Sequence, residues 1–343
     1  MENSAFAGEL QPTPQRTFKL QSALLFGNVP QPWRQGLPEL PSINPIPSMI
    51  CDDESRFLHW ISRNRVQGDG CIVDLGPLAG GSTHALCSGV ALNPRAAGRT
   101  RVHSYDLWRF HPDWQSLFPG QKLRRGASVH PLFMKNLQGF RDTVVSHAGD
   151  ILKYRWGGEP IEILFIDAAK SPELWTHILR EFLPHCVPGR TLIVQQDWVC
   201  AQCPWIHITT ARLSEYLVPV DSPLGATVAF LLRRPIPASL LEERDFADPA
   251  ATTLGRLDQA AALTLGWYGL CVQLAKAHYL VMRGRPKEAL AVVDQVLAHP
   301  DYTSSVKPDL DLVLASVSRG KQWLRALVRP AAGWYFRNIA RER

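Results

Sequence analysis

The stretch Cys71–Leu86, reading CIVDLGPLAGGSTHAL, constrains the chain more than any other. A short apolar run of Cys71, Ile72 and Val73 ends in an acid, Asp74. The chain then breaks at Gly76-Pro77, turns through Gly80-Gly81 and restarts at Ser82-Thr83, residue types that cap helices. The pattern predicts a strand, a tight loop and a helix. Backbone in such a loop can be approached closely by a ligand, because glycine carries no Cβ. The glycines spell G-x-x-x-G-G. A dinucleotide fingerprint, G-x-G-x-x-G, needs glycine where Leu78 stands, and that leucine blocks the close approach of a pyrophosphate. Asp74, ahead of the first glycine, suits a ligand with a cationic group instead.

Four more segments repeat the theme of a short strand ending in a polar residue. Val102–Asp106 ends in a carboxylate where the ribose of a nucleoside would sit in an α/β domain, and a carboxylate accepts from both vicinal hydroxyls at once. Val144–Ala148 runs into Gly149-Asp150, Ile161–Ile166 into Asp167, and Gly189–Val194 into Gln195-Gln196-Asp197. Strands of this kind, alternating with helical stretches, predict a parallel sheet whose ligands gather at the carboxyl edge. Tyr216–Val220 and Ala226–Leu232, closed by Pro235 and Pro237, add two further strands.

The series D-L-G-x-x-x-G-G-S-T, Y-D, G-D, F-I-D-x-x-K, then a Leu-Ile-Val strand, resembles the class I S-adenosylmethionine-dependent methyltransferases over residues 50–235. Within them it is most similar to small-molecule O-methyltransferases of the macrocin and cephalosporin-hydroxylase-like type. The resemblance implies an α/β fold: a Rossmann-like class I methyltransferase sheet with an appended C-terminal all-helical domain. It implies S-adenosyl-L-methionine as cofactor, with Gly76 and Gly80 along its methionine and ribose portion, Asp106 on the ribose hydroxyls and Asp150 near the adenine. Asp74, Gly81, Ser82 and Asp167 complete the expected cofactor-binding set.

Asp167-Ala168-Ala169-Lys170 is similar to the D-x-x-K of catechol and caffeoyl-coenzyme A O-methyltransferases, where the Asp binds a divalent cation and the Lys deprotonates the acceptor hydroxyl. The resemblance therefore implies Lys170 as base and Asp167 as metal ligand or substrate acceptor; otherwise Lys170 caps a loop beside Glu173. The chemistry is sensible, since methyl transfer is an in-line displacement and a hydroxyl is a poor nucleophile until its proton leaves. Metal-dependent relatives carry Asp-Asp or Asp-Asn after the fifth strand. Here those positions hold Gln195 and Gln196, with Asp197 one place later. Two neutral amides weaken a Mg²⁺ site, which leaves Asp167 and Asp197 as a reduced two-carboxylate alternative. Trp108, His111, Trp114, Trp175, Trp198, Trp205 and His207 lie near these acids in sequence and are expected around an acceptor pocket, with His111 and His207 as alternative bases. Cys200-Ala-Gln-Cys203 with His207 gives a weak zinc pattern, lacking a second C-x-x-C.

The 343 residues exceed one usual core, and 45% hydrophobic with 20% charged content is that of a soluble globular protein. The expected division is a Pro-rich arm at 1–50, a cofactor-binding domain at 51–237 and a helical domain at 238–343. Within the last, Gly284–Leu290 followed by Val293 and Val296 resembles one tetratricopeptide hairpin, without a second copy. Seven irregularly spaced cysteines argue against a disulfide framework and for a reducing, cytoplasmic setting, and the first residues lack a secretory pattern. Residues 262–282 are apolar but interrupted by Gln273, Lys276 and His278, which predicts a buried helix and no membrane span. From Arg319 to Arg343, seven basic residues against Glu342 alone carry the whole net charge of +6. The remainder is neutral and offers no footprint for a phosphate backbone, so a small-molecule acceptor is expected and nucleic acid is not. A protein partner or a second copy could dock on the helical domain. The alternative reading is a catalytically inactive methyltransferase-fold interaction protein, which the Gln195-Gln196 departure favours.

Overall fold

The computed structural model describes residues 31–34, 45–118, 120–221, 225–242, 249–264 and 266–323. Most of the arm at 1–50 and the basic stretch beyond 323 lie outside the described residues. Seven strands form one sheet: β1 (Cys71–Leu75), β2 (Val102–Asp106), β3 (Val144–Ala148), β4 (Ile161–Ile166), β5 (Leu192–Gln195), β6 (Leu217–Asp221) and β7 (Val228–Leu232). Their order is β3-β2-β1-β4-β5-β7-β6, with β1 to β5 parallel and β7 antiparallel to both β5 and β6. This is the class I methyltransferase sheet. β1 and β4 are buried along their whole length, as expected of central strands covered on both faces. β5 begins at Leu192, later than the Gly189 start the sequence suggested, and runs through Gln195, after which the chain enters a 3₁₀ turn, Gln196–Val199.

Helices cover both faces. On one lie α1 (Asp52–Asn64) and α2 (Gly81–Ala91), whose Phe57, Leu58, Ile61, Leu86 and Val90 pack on Ile72, Ile163 and Val194. The buried Glu54 ties α1 to the residues leading into β7 through the Ala226 N–H and the Thr227 hydroxyl, and caps its own helix at the Cys51 N–H. Of the N-terminal arm, Trp33 packs edge-on against Phe57 at 4.8 Å. On the other face lie α4 (Pro172–Phe182) and α5 (Pro204–Arg212), while α3 (His130–Asn136) roofs the loop after β1.

Beyond the sheet come α6 (Ala238–Glu242), α7 (Ala250–Leu263), α8 (Trp267–Met282), α9 (Pro286–Leu297) and α10 (Lys307–Trp323). The expected hairpin is α8–α9, turning at Gly284 with φ +72°. These helices share a core with the sheet: Ala260, Tyr268 and Val272 belong to the same apolar cluster as Leu164 of β4 and Ile193 of β5. The Asp309 carboxylate of α10 accepts the Ala201 N–H at 2.8 Å, joining the last helix to the loop after β5. Among the described residues, no helix is long and apolar enough to cross a membrane.

The entry to β1 hangs on one side chain. Glu162 of β4, buried, accepts the N–H groups of Gln67 at 2.6 Å and of Gly68, Asp69 and Gly70 at 3.0 Å each, with Arg190 at 3.1 Å. A glutamine there keeps a single acceptor oxygen and turns an NH₂ group toward these donors. Hydrogen bonds to charged groups are worth roughly 1.5–3 kcal/mol each and are not additive, so Glu162→Gln should lower the unfolding free energy by about 2–4 kcal/mol. Urea denaturation of the two proteins measures it, and a difference under about 0.5 kcal/mol, the range of ordinary surface changes, would remove this account.

Candidate active site

The carboxyl ends of β1, β2 and β4 are aligned by continuing ladder bonds: the Gly76 N–H donates to the Tyr105 carbonyl and the Asp167 N–H to the Leu75 carbonyl. Gly76, Asp106, Asp150 and Asp167 are half-buried along this rim. Gly76 has φ +96°, and a Cβ there would lie 2.4 Å from the Asp167 carbonyl oxygen, so only glycine lets the β1 and β4 ends approach. Gly80, with φ +100°, opens α2, and its missing Cβ makes room for Phe133 of α3 and Leu137 just after it.

The remaining motif residues lie beneath the rim. Gly80, Gly81 and Ser82 are buried. Asp74 is 0% exposed and accepts from the Ser82 hydroxyl at 2.8 Å and the Thr83 hydroxyl at 2.6 Å, both through Oδ2. The carboxyl, expected from the sequence to suit a ligand with a cationic group, here braces the first turn of α2 from inside. Its Oδ1 is buried with no protein partner. Burial pushes the Asp74 carboxyl up to about 7, against the opposing pull of the Thr83 and Ser82 hydroxyls.

Asp106 holds the loop above. Its Oδ2 accepts the Leu78 N–H at 2.9 Å and its Oδ1 the Trp108 N–H at 2.6 Å, while the Trp108 indole donates to the Leu78 carbonyl at 2.8 Å. Leu78 and Trp108 both adopt left-handed backbone, φ +48° and +47°, which side-chain-bearing residues rarely do. These three hydrogen bonds hold them there. Sequence reasoning missed this lock; its only trace was a leucine inside a glycine-rich turn. Asp150 caps the 3₁₀ turn Ile151–Lys153 through the Leu152 N–H.

At the ends of β4 and β5 the structure brings Asp167, Lys170 and Asp197 together. Lys170 Nζ donates to Asp167 Oδ1 at 3.1 Å and to Asp197 Oδ1. The turn carrying Lys170 is pinned by the Trp205 indole on the Ala169 carbonyl, and Ser171, rather than Lys170, caps α4. Burial pulls the Lys170 ammonium down, but Asp197 and Asp167 outweigh it and hold it well above its ordinary value. Lys170 is thus a held cation, lying on both carboxylates. Burial raises the Asp167 carboxyl, with Lys170 opposing.

A divalent cation between Asp167 and Asp197 does not fit, because an ammonium already lies on both carboxylates. Among the described residues, neither acid belongs to a group of three metal-ligating side chains. The same holds for Cys200, Cys203 and His207. Buried His207 directs Nε2 at the Trp198 carbonyl oxygen, 2.6 Å away, and burial lowers its imidazole to about 4, so it is a packed histidine and not a base at the surface. Trp108, Trp175, Trp198 and Trp205 are likewise core residues instead of walls of an open acceptor pocket. His111 turns its ring onto the Asp113 N–H.

No family profile and no curated protein matches the chain. Solved structures similar to it include an O-methyltransferase from Bacillus cereus in complex with SAH, at 16% identity over 66% of this chain and 93% of that one, TM-score 0.36. The O-methyltransferase NovP is 13% identical over 64% of this chain and 100% of that one, TM-score 0.40. A TDP-rhamnose 3'-O-methyltransferase of calicheamicin biosynthesis is 12% identical over 67% and 99%, TM-score 0.42. At these identities and TM-scores the fold assignment stands on the strand order of this chain alone.

The Asp74 carboxyl gives a test of the site's electrostatics. Its folded value of about 7 lies above the roughly 3.9 of an unfolded Asp. The native state therefore holds a proton that the unfolded state has lost, and stability falls as pH rises from about 4 through about 7. Asp74→Asn keeps an oxygen for the two hydroxyls and removes the titration. Its stability, from thermal unfolding across that window, should decline less with pH than that of the parent; parallel curves would show that Asp74 does not titrate as described.

Proposed function

We propose that this protein transfers a methyl group from S-adenosylmethionine to a hydroxyl group of a small molecule. The observation that carries the reading is the Asp167–Lys170–Asp197 cluster on the rim beside the Gly76 loop. The residues present fit the cofactor. A carboxylate has about four acceptor sites, and the Leu78 and Trp108 N–H groups use two of those on Asp106, leaving the others for a ribose diol. When bound, S-adenosylmethionine supplies an electrophilic methyl carbon on a sulfonium.

The protein's own work is to align the acceptor oxygen and take its proton. Asp167, its carboxylate raised by burial, is the proton acceptor in this reading. Lys170 stays charged, donates to the acceptor oxygen and stabilises the negative charge that develops as the proton leaves. Asp197 fixes the ammonium in position. The ammonium occupies the place a metal would need between the two acids.

Calorimetric titration with S-adenosylmethionine and isotopic methyl transfer into a metabolite extract test the two halves. Binding and a chelator-insensitive transfer are expected. Asp167→Asn and Lys170→Ala should each lower kcat by about 10²–10⁴-fold with cofactor affinity retained, whereas Asp106→Ala should weaken the cofactor. The rate should fall as acid protonates Asp167, on a limb above the ordinary carboxylate range. No binding at all would end the proposal; binding with no transfer to any metabolite would favour the interaction-protein reading.

A further inference from the structure

The opposite, amino-terminal edge of the sheet carries a second cluster. Cys71 opens β1, His103 is the second residue of β2, and Glu159 lies in the loop just before β4. One ligand atom from each lies within 4.8 Å of the others. β1 is five residues long, about 16 Å, so this cluster is a strand's length from the Asp167–Lys170 site.

We propose that Cys71, His103 and Glu159 bind one divalent transition-metal ion of the zinc class, with water completing the coordination. Thiolate, imidazole and carboxylate together suit zinc, whereas Mg²⁺ and Ca²⁺ take oxygen ligands. His103 Nε2 lies 3.6 Å from Glu159 Oε1, too long for a hydrogen bond. With metal–ligand bonds of about 2.0–2.3 Å in a tetrahedron, ligand atoms stand about 3.3–3.8 Å apart, so this pair already has the separation that a shared ion needs. Closing the cluster to that spacing requires Cys71 Sγ to move in by at most about 1–1.5 Å.

The surroundings orient the ligands. His103 Nδ1 lies 3.0 Å from His147 Nε2. The tautomer in which His103 donates along that contact leaves Nε2 bare on the Glu159 side, the arrangement that fixes metal-binding histidines elsewhere. One tryptophan holds two ligands: the Trp156 ring packs edge-on against His103 at 5.1 Å, and its indole donates to the Glu159 carbonyl at 3.2 Å. The Cys71 N–H donates to the Pro160 carbonyl at 2.8 Å, tying the loop to the start of β1. On binding, the Cys71 thiol gives its proton to solvent and the thiolate takes the ion; nothing is oxidised.

The test is a Co²⁺ titration of the full chain after dialysis against a chelator, followed by displacement with Zn²⁺. A single equivalent should develop a thiolate-to-cobalt charge-transfer band, and Zn²⁺ should abolish it. Cys71→Ser should lose the band. Glu159→Gln, at an exposed side chain, should keep the parent's melting temperature without metal and bind Zn²⁺ about tenfold or more weakly. This variant decides the matter should Cys71→Ser, a core change, fail to fold. No band at one equivalent, a band that survives Cys71→Ser, or unchanged Zn²⁺ affinity in Glu159→Gln would each overturn the proposal.

Discussion

Glu162 sits near the start of β4, yet its carboxylate collects the N–H groups of the four residues that lead into β1 and reaches Arg190 ahead of β5. Three neighbouring strands are therefore indexed to one buried group at their amino ends. Parallel strands have no tight turn between them to set their register, so a fixed reference of this kind matters more than in a hairpin. Slipping β1 by one residue would turn Asp74 to the other face and separate Gly76 from the Asp167 carbonyl. The positions of the rim residues thus depend on a contact at the far end of the strands.

Carboxyl groups that burial makes costly to ionise gather along the rim and just beneath it. Asp74, Asp106 and Asp167 are all raised, each with burial as the largest cause. Lys170 lies on Asp167 and Asp197. A buried charge needs a partner or it neutralises, and the acids outnumber that ammonium.

Local patterns were legible where the signal is local. Short apolar runs ending in acids marked β1 to β4, and Gly76 and Gly80 marked the turn because their backbone conformations exclude other residues. What the sequence hid are pairings across long separations. Nothing around Glu162 announces that it serves residues 67–70, and D-x-x-K spacing cannot tell that Asp197 will close on Lys170 and keep it charged. The aromatic residues misled for a related reason: tryptophans clustered in sequence beside acids look the same whether they wall a pocket or fill a core. That the Asp74 side chain would meet two hydroxyls on the following helix is a pairing of the same kind, which the run ending at Asp74 does not announce.

The helices beyond β7 bear on the candidate site through Asp197. That residue sits in a 3₁₀ turn after a short strand, not in the sheet, so the sheet alone does not fix it. The chain continues to Ala201, which packs with Leu270, Leu274 and Val313 of α8 and α10, and whose N–H is held by Asp309. Burial raises the Asp309 carboxyl to about 6, so the contact is made by a group that can lose its charge in mild acid. Val199 on the same turn packs against both this helical cluster and the core beneath the sheet. The helical part is therefore one wall of the mould that sets the distance between Asp197 and Lys170. Loosening it would release one of the two carboxylates that keep the lysine charged, and with it the balance between ammonium and base on which the proposed chemistry turns.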